Sequence, residues 1–263
     1  MPSCFRSSIY EALIPVGLRL YGRPLSPAMY RLPFGFYLRR GVPSLASKFR
    51  AEANTLRVVE QQTDIPAPHF IDLVTTPSRS YMLMTRVPGR PIGQQLSLMT
   101  DEQVKRVVVV LTRFVSQLRA IQNPHHEYQI CNSEGGGILD WRVSKSQHED
   151  MRFKDESGFN AWLTYRYRQD IMPTVVKSHG VPHEIFFTHG DLNMRNILAE
   201  NGRITGIVDW ENAGWLPEYW EYSKMHFGAR ADIRWLADVV DRVFEGYRQE
   251  LWVENLLSDL HPF

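Results

Sequence analysis

Apolar residues recur with a helical period in three stretches of the chain. The clearest stretch follows Thr100, and Thr100 with Gln103 matches a capping box, which predicts that a helix begins there. The same spacing predicts helices over residues 44–61 and 230–253. The predicted buried positions are Leu45, Phe49, Ala53, Leu56 and Val59, then Val104, Val107, Val108, Leu111, Phe114, Val115 and Leu118, then Ile233, Leu236, Val240, Val243, Phe244 and Tyr247.

Short apolar runs bounded by turn residues predict strands. Three such runs lie in the first third of the chain: residues 35–38, 71–74 and 81–87. Pro88-Gly89 then ends the third run and turns the chain. Strands and one helix therefore precede a mostly helical remainder, and this order predicts a two-lobed α+β fold.

A predicted hairpin lies within that helical remainder. The apolar runs 197–199 and 204–208 flank Asn201-Gly202, which is the strongest short hairpin signal because both residues accept positive φ. The short loop sets the two runs side by side as antiparallel strands.

Three polar residues stand at the open end of this hairpin. Asn196 and Asp209 bracket it and are expected to lie nearly opposite each other. Two neighbouring oxygen ligands suit Mg²⁺, which completes its shell with water and phosphate oxygens. Asp191 lies five residues before Asn196 and is placed to accept a proton from a hydroxyl group. The set predicts phosphoryl transfer.

The segment around these residues reads His-Gly-Asp-Leu-Asn-Met-Arg-Asn over 189–196, and Asp209 follows in Ile-Val-Asp-Trp. It resembles the catalytic segment of the aminoglycoside phosphotransferase and choline kinase-like family, small-molecule kinases with the protein-kinase fold. The resemblance implies that Asp191 is the catalytic aspartate and that Asn196 and Asp209 hold metal. It also implies that His189 braces the loop by hydrogen bonds.

The resemblance extends over residues 31–222 and is strongest to fungal members. It implies a two-lobed protein-kinase-like fold. A small, abbreviated, β-rich N-lobe would cover residues 1–87, and a larger, mainly helical C-lobe would cover residues 88–263. The strand at 81–87 would lead into the hinge, where Thr85, Arg86 and Val87 are the candidates for contact with adenine. An ordinary exit from strand to loop is the alternative interpretation.

The nucleotide side departs from the family in two ways. Arg39 stands where relatives carry a phosphate-binding Lys, and Glu52 is the helix residue that would orient it. Arg is a planar fork donor whereas Lys is a compact point charge. Lys48, one helical turn before Glu52, is a candidate substitute. Instead of a glycine-rich phosphate loop, Gly17 and Gly22 precede abbreviated N-terminal strands, as turn residues or as phosphate contacts.

The acceptor side offers two further segments. Trp215, Glu218 and Trp220 combine aromatic faces with a carboxylate, which suits a cationic or amine-bearing ligand. Packing against the large lobe is the alternative. Asp140 and Arg142 flank a Trp and would shape the acceptor pocket or form a local salt bridge over a buried Trp. Glu211, two residues after Asp209, is a candidate auxiliary metal ligand.

Composition narrows the class of protein. Lys and Arg number 30 against 29 acidic residues, and their scattered positions argue against nucleic-acid binding. Cys4 and Cys131 lack metal-ligand spacing, which indicates a reducing compartment. No apolar run has membrane-spanning length or the pattern of a signal peptide. The sequence predicts a cytoplasmic protein without a membrane partner and leaves its oligomeric state open.

Together these features predict a phosphotransferase that uses ATP and Mg²⁺ to phosphorylate a hydroxyl group of a small molecule. An amine-bearing acceptor would suit the aromatic and acidic segment. Two alternatives stay open. One is a degenerate pseudokinase that binds a ligand or partner without transfer. The other is an enzyme on the same fold whose carboxylates perform acid–base chemistry without ATP.

Overall fold

The computed structural model describes residues 2–24, 26–140, 142, 150–165, 172–227, 229 and 232–259. Within these residues, a small lobe built on an antiparallel sheet precedes a larger, mainly helical lobe. The two-lobed α+β fold is therefore confirmed. The domain boundary between residues 87 and 88 stays a prediction.

The small lobe is a four-stranded sheet with two helices. Its elements are α1 (Ser3–Tyr21), β1 (Met29–Leu32), β2 (Phe36–Gly41), α2 (Ala46–Gln62), β3 (Phe70–Thr75) and β4 (Ser80–Thr85). The strands follow the order β1-β2-β4-β3, and all neighbours are antiparallel. The predicted α2 and the three predicted strands are confirmed, each within three residues at its ends.

The two helices cover opposite faces of this sheet. Helix α1 packs on the face that carries Leu38 and Tyr81, whereas α2 packs on the face that carries Met82 and Met84. Because side chains alternate along a strand, Arg39 lies on the same face as α2. On this face the Arg39 side chain contacts Asp209 of the large lobe.

Helix α1, which the sequence did not predict, precedes the short first strand β1. Gly17 lies inside this helix, where an added Cβ would stand 2.1 Å from the Arg31 carbonyl oxygen, so glycine permits the close approach of β1. Gly22 ends the helix with a φ of 78°. Both glycines thus have structural roles. The apolar pattern concealed the helix because Pro15 interrupts it and apolar residues lie on its exposed side as well.

The large lobe contains the remaining elements. They are β5 (Arg90–Pro91), α3 (Asp101–Arg119), β6 (Cys131–Asn132), α4 (Glu156–Thr164), α5 (Met172–His179), β7 (Ile185–Thr188), β8 (Ile197–Glu200), β9 (Arg203–Ile207), β10 (Gly214–Pro217), α6 (Trp220–Phe227), α7 (Ile233–Trp235), α8 (Asp241–Val243) and α9 (Arg248–Asp259). Two small sheets have the strand orders β6-β10-β7 and β5-β8-β9. In the described part of the chain, no helix is long and apolar enough to cross a membrane.

Helix α3 begins where the sequence predicts. The Thr100 hydroxyl accepts a hydrogen bond from the Gln103 backbone N–H, and the Gln103 side chain accepts one from the Thr100 N–H. The predicted apolar face packs into the main core, which Val107, Leu111 and Phe114 enter. The capping box and the helix are both confirmed.

The predicted helix over 230–253 is wrong as a single element. Residues 230 and 231 lie outside the described residues, and the rest divides into α7, a π-helical turn over Leu236–Val240, α8 and α9. The chain leaves the helix at Phe244, and Gly246 adopts a φ of 102°. Ile233, predicted to be buried, is 78% exposed because the one-residue widening of the π turn shifts the helical phase.

The predicted hairpin is confirmed. Strands β8 and β9 pair with Ile197 opposite Ile207, and Asn201 and Gly202 both have positive φ at the turn. The Val208 N–H donates to the Asn196 carbonyl oxygen at 2.9 Å. Asn196 therefore lies beside the residue that precedes Asp209, as the hairpin geometry requires.

Candidate active site

Glu221, the second residue of α6, organises the loop between β7 and β8. Its buried carboxylate accepts hydrogen bonds from the backbone N–H groups of His189, Gly190 and Leu192, at 2.6, 3.2 and 3.1 Å. Burial raises the pKa of Glu221, and these backbone donors oppose the rise. Glu221 was missed among the sequence candidates. The available signal was an acidic residue inside an aromatic segment.

His189 is fully buried within this loop. Its Nε2 lies 3.0 Å from the Val208 carbonyl oxygen, and its Nδ1 accepts from the Asp191 N–H at 3.2 Å. These contacts fit a neutral ring that carries its proton on Nε2. The ring also packs against Trp210, with 4.6 Å between the ring centroids. His189 thus connects the loop to the end of the hairpin.

Two amides orient the Asp191 carboxylate. The Asn193 Nδ2 donates to Oδ1 at 2.6 Å, and the Asn196 Nδ2 donates to Oδ2 at 2.9 Å. The side chain of Asp191 is 27% exposed, and the Arg195 guanidinium lies 3.9 Å from its Oδ2. A fixed carboxylate that is accessible from the cleft can accept a proton from a bound hydroxyl group.

Asn196 and Asp209 lie at the open end of the hairpin, where Asn196 contacts Asp191. The Asn196 Nδ2 donates to the Asp191 carbonyl oxygen and to its carboxylate, and the Asn196 Oδ1 accepts no hydrogen bond from the described residues. Asp209 is a left-handed residue, with φ 67° and ψ 58°, at the end of β9. Oxygen ligands of this kind fit Mg²⁺. Within the described residues, no group of three or more His, Cys, Asp or Glu side chains could hold a metal ion.

Arg39 extends from the small lobe to Asp209 at the end of the hairpin and contacts three carboxylates. Its Nη1 contacts Glu52 and lies 2.6 Å from the Glu211 Oε2, while its Nη2 lies 2.5 Å from the Asp209 Oδ1. Burial raises the pKa of Glu52 to about 7, and Arg39 opposes the rise. Lys48 completes the cluster, with its Nζ 2.8 Å from the Glu211 Oε1. The structure thus brings together Arg39, Glu52 and Asp209 with the two further candidates Lys48 and Glu211.

The hinge offers one free backbone donor among the three residues considered. The Thr85 N–H donates to the His69 carbonyl at 3.0 Å, and the Arg86 N–H donates to the Gly35 carbonyl at 2.7 Å. The Val87 N–H has no hydrogen-bond partner among the described residues. Of these three candidates, Val87 is therefore the one whose backbone N–H is left unpaired by the described residues.

A cavity of about 370 Å³ borders residues 85–88. Its lining consists of Glu60, residues 63–69, residues 85–88 and Thr205. Neither Arg39 nor Asp191 nor Asp209 contributes to it. The candidate catalytic and metal-binding side chains therefore lie outside this cavity.

Asp140 and Arg142 form a buried salt bridge. Two guanidinium nitrogens of Arg142 lie 2.8 and 2.9 Å from the two Asp140 oxygens, and the guanidinium stands over the Trp220 ring. Lys224 lies 3.2 Å from Asp140. Burial alone would raise the pKa of Asp140, but Lys224 and Arg142 hold it well below its usual range. Trp141 lies outside the described residues.

The other acceptor-side candidates are packed into the large lobe. The Trp215 indole N–H donates to the Ile121 carbonyl oxygen, and both Trp215 and Trp220 are almost fully buried. The Glu218 carboxylate accepts from the Tyr247 hydroxyl at 2.6 Å. The structure does not bring these side chains to Asp191, and their packing agrees with the structural interpretation that the sequence left open.

Comparisons with known proteins bear on this arrangement. Residues 25–253 match the APH family model, which describes the phosphotransferase enzyme family. An aminoglycoside 3′-phosphotransferase from Escherichia coli is 25% identical over 207 residues, 76% of this chain and 68% of the relative. The clavilactone A biosynthesis cluster protein Y from Ampulloclitocybe clavipes is 25% identical over 199 residues, 63% of this chain and 49% of that protein.

Solved structures resemble the whole chain. The gentamicin complex of APH(2″)-IIa has a TM-score of 0.62 at 12% identity and covers 96% of this chain and 86% of that chain. A ternary complex of an APH(4)-Ia mutant with ADP and hygromycin B has a TM-score of 0.55 at 14% identity, with 95% and 84% covered. A GDP complex of an aminoglycoside 2′-phosphotransferase IIIa mutant scores 0.59 at 13% identity, with 95% and 88% covered. The likeness shows a protein-kinase-like fold.

Proposed function

The chain belongs to the phosphotransferase enzyme family, and we propose that it transfers the γ-phosphoryl group of ATP to a hydroxyl group of a small molecule. One observation carries the proposal. The amides of Asn193 and Asn196 orient the Asp191 carboxylate, and the Asn196 carbonyl oxygen accepts a hydrogen bond from Val208, the residue before Asp209. A base beside two metal ligands is the arrangement that phosphoryl transfer requires.

Each residue has a defined role in this proposal. Asp191 positions the acceptor hydroxyl and takes its proton during transfer. Asn196 and Asp209 hold Mg²⁺, and Glu211 is near enough to the same edge to assist them. When bound, Mg²⁺ would neutralise charge on the phosphate oxygens. Glu221 and His189 keep the loop in the conformation that aims Asp191 at the acceptor.

The nucleotide would bind between the hinge and the Arg39 cluster. The free Val87 N–H supports a hydrogen bond to an adenine nitrogen, and Arg39, held by Glu52, faces the metal carboxylates. Structural relatives were solved with ADP, with AMP-PNP and with GDP. We assign ATP as the donor on the basis of the first two.

The acceptor is proposed to be a hydroxyl compound that also carries an amine. Gentamicin, hygromycin B and streptomycin occur in complexes of the structural relatives. Acidic side chains at the catalytic edge, among them Asp191 and Asp209, favour a cationic acceptor over an anionic one. A panel of amino alcohols and aminoglycosides, assayed for ATP consumption, tests this choice.

The decisive experiment compares nucleotide binding with transfer. Calorimetry should show ATP binding that depends on Mg²⁺ and is lost in Asp209→Ala. In Asp191→Asn, binding should persist while transfer falls by about 10²–10⁴-fold, the usual contribution of a positioned base. Asp238→Asn makes the same charge change at a surface pair with Arg242 and should alter neither quantity. Transfer retained by folded Asp191→Asn protein would remove Asp191 from its proposed role.

A pseudokinase is the second candidate, and one observation favours it. Arg39 replaces the Lys of relatives and occupies the Asp209 oxygen that a metal would need. ATP binding without consumption across the whole acceptor panel would support this candidate. Consumption with any acceptor would exclude it.

A further inference from the structure

Arg39 has little charge to offer a phosphate. Its two terminal nitrogens contact the carboxyl groups of Glu52, Asp209 and Glu211, so one guanidinium already serves three acidic side chains. Its side chain is 13% exposed on β2 and contacts Glu52 of α2. A phosphate chain brought to this guanidinium would have to replace carboxylates that hold the two lobes together.

Lys48 has the opposite properties. Within the part of the chain that the structure describes, its ammonium forms one ion pair, with the Glu211 Oε1 at 2.8 Å, and 28% of its side chain is exposed. Glu211 also binds Arg39 through its other oxygen, so Lys48 lies next to the metal carboxylates. A flexible stem and a compact charge let Lys change partner at a small cost.

The position of Lys48 is not explained by the stability of its helix. It lies in the first turn of α2, which contains no acidic residue and has no side-chain cap. A cation at a helix N-terminus opposes the helix dipole, which favours negative charge there. Lys48 therefore adds positive charge to this end of α2, where it contacts Glu211.

We propose that Lys48 contacts the β- and γ-phosphates of the nucleotide, while Arg39 acts as the positioning residue for Glu52, Asp209 and Glu211. This assignment rests on the proposed function and deepens it. On nucleotide binding, the Lys48 ammonium exchanges Glu211 for a phosphate oxygen, and Glu211 turns toward the metal. The phosphate cation therefore comes from α2 in this chain and not from β2.

Calorimetric titrations of ATP and of AMP, both with Mg²⁺, test the proposal in wild-type protein and in Lys48→Met. AMP has the same adenine and ribose but lacks the β- and γ-phosphates. Loss of one charge-assisted contact should weaken ATP binding by about tenfold or more. AMP affinity should stay unchanged. Lys48→Arg keeps the charge and should recover most of the ATP affinity.

Lys105→Met is the matched control, because Lys105 forms a surface pair with Glu102 at 2.8 Å on α3, outside the cleft. It should bind both nucleotides like wild type. Equal ATP affinity in wild type and Lys48→Met would overturn the assignment of Lys48 alone. An equal loss for ATP and AMP would also overturn it, because that result indicates a structural role. Wild-type protein that binds no ATP would overturn the proposed function and this assignment together.

Discussion

Arg39 and Arg142 both bind carboxylates, but their surroundings differ. Arg142 contacts Asp140, two residues away in the chain, and both side chains are almost completely buried in the large lobe. Arg39 joins Glu52 of its own lobe to Asp209, which lies 170 residues away in the chain. Asp209 keeps 38% of its side chain exposed. The Arg142 cluster is therefore closed to solvent. The Arg39 cluster is open, because it is partly exposed and borders the candidate active site.

The difference teaches how a charge cluster serves structure or function. A buried fork–fork pair with further cations around it has a single good arrangement, and breaking it leaves an uncompensated buried charge. A cluster with exposed members exchanges a side-chain cation for a metal or a phosphate without that cost. Similar residue types therefore form a structural site in one place and border a candidate binding site in the other.

The largest expected effect is the loss of the closed cluster. Arg142→Met leaves Asp140 buried with Lys224 as the neighbouring cation and should reduce the free energy of unfolding by about 3–5 kcal/mol. Urea denaturation measures this loss. Arg50→Met breaks an exposed pair with Glu134 and should cost no more than about 1 kcal/mol. If the free energy of unfolding falls by a similarly small amount in both variants, the Asp140–Arg142 pair does not stabilise the large lobe.

A smaller effect with a different signature is expected for the open cluster. Arg39→Met should reduce the free energy of unfolding by about 1.5–3 kcal/mol, the range of hydrogen bonds to charged groups. Mg²⁺ alone should restore part of it, because the Asp209 oxygen becomes free to bind the ion. At ten times the dissociation constant, Mg²⁺ would return about 1.4 kcal/mol.

Thermal unfolding of both variants with and without Mg²⁺ checks this difference. Arg142→Met should not respond to Mg²⁺ beyond the response of wild type, because its carboxylate remains buried. An identical Mg²⁺ response in Arg39→Met, Arg142→Met and wild type would show that Arg39 and the metal do not share Asp209.

The same comparison explains what the sequence could predict. Features encoded by neighbouring residues were predicted correctly: the Thr100 capping box, the Asn201-Gly202 turn and the approach of Asn196 to Asp209. The Arg39–Glu52 pair was predicted from family resemblance. The contacts of Arg39 with Glu211 and Asp209 were not predicted, because they depend on the docking of two lobes.

The misses have physical causes as well. Glu221 binds backbone N–H groups, and such contacts leave no complementary residue type in the sequence. Helix α1 carries apolar residues on both sides, so its period was hidden. The break near Gly246 depends on a π turn before it, which changes the phase of the apolar pattern that predicted a continuous helix.

The smallest expected effect separates the two clusters by pH. Burial raises the pKa of Glu52 from 4.5 to about 7, with Arg39 and Lys48 opposing it and Asp209 and Glu211 adding to it. Between these values the folded protein binds more protons than the unfolded chain, so its stability should fall as pH rises. The slope cannot exceed about 1.4 kcal/mol per pH unit for one proton.

Denaturation of wild type and Glu52→Gln at several pH values between 5 and 7 measures that slope. The variant should lose the Glu52 contribution, and the difference between the two proteins removes the contributions of all other titrating groups. Asp140→Asn should keep the wild-type slope, because the pKa of Asp140 is lowered and its stabilising effect is lost only as pH falls below 3.8. If Glu52→Gln has the same slope as wild type, Arg39 keeps Glu52 ionised over this whole pH range. The Arg39 cluster would then resemble the Asp140–Arg142 cluster, whose carboxylate stays ionised.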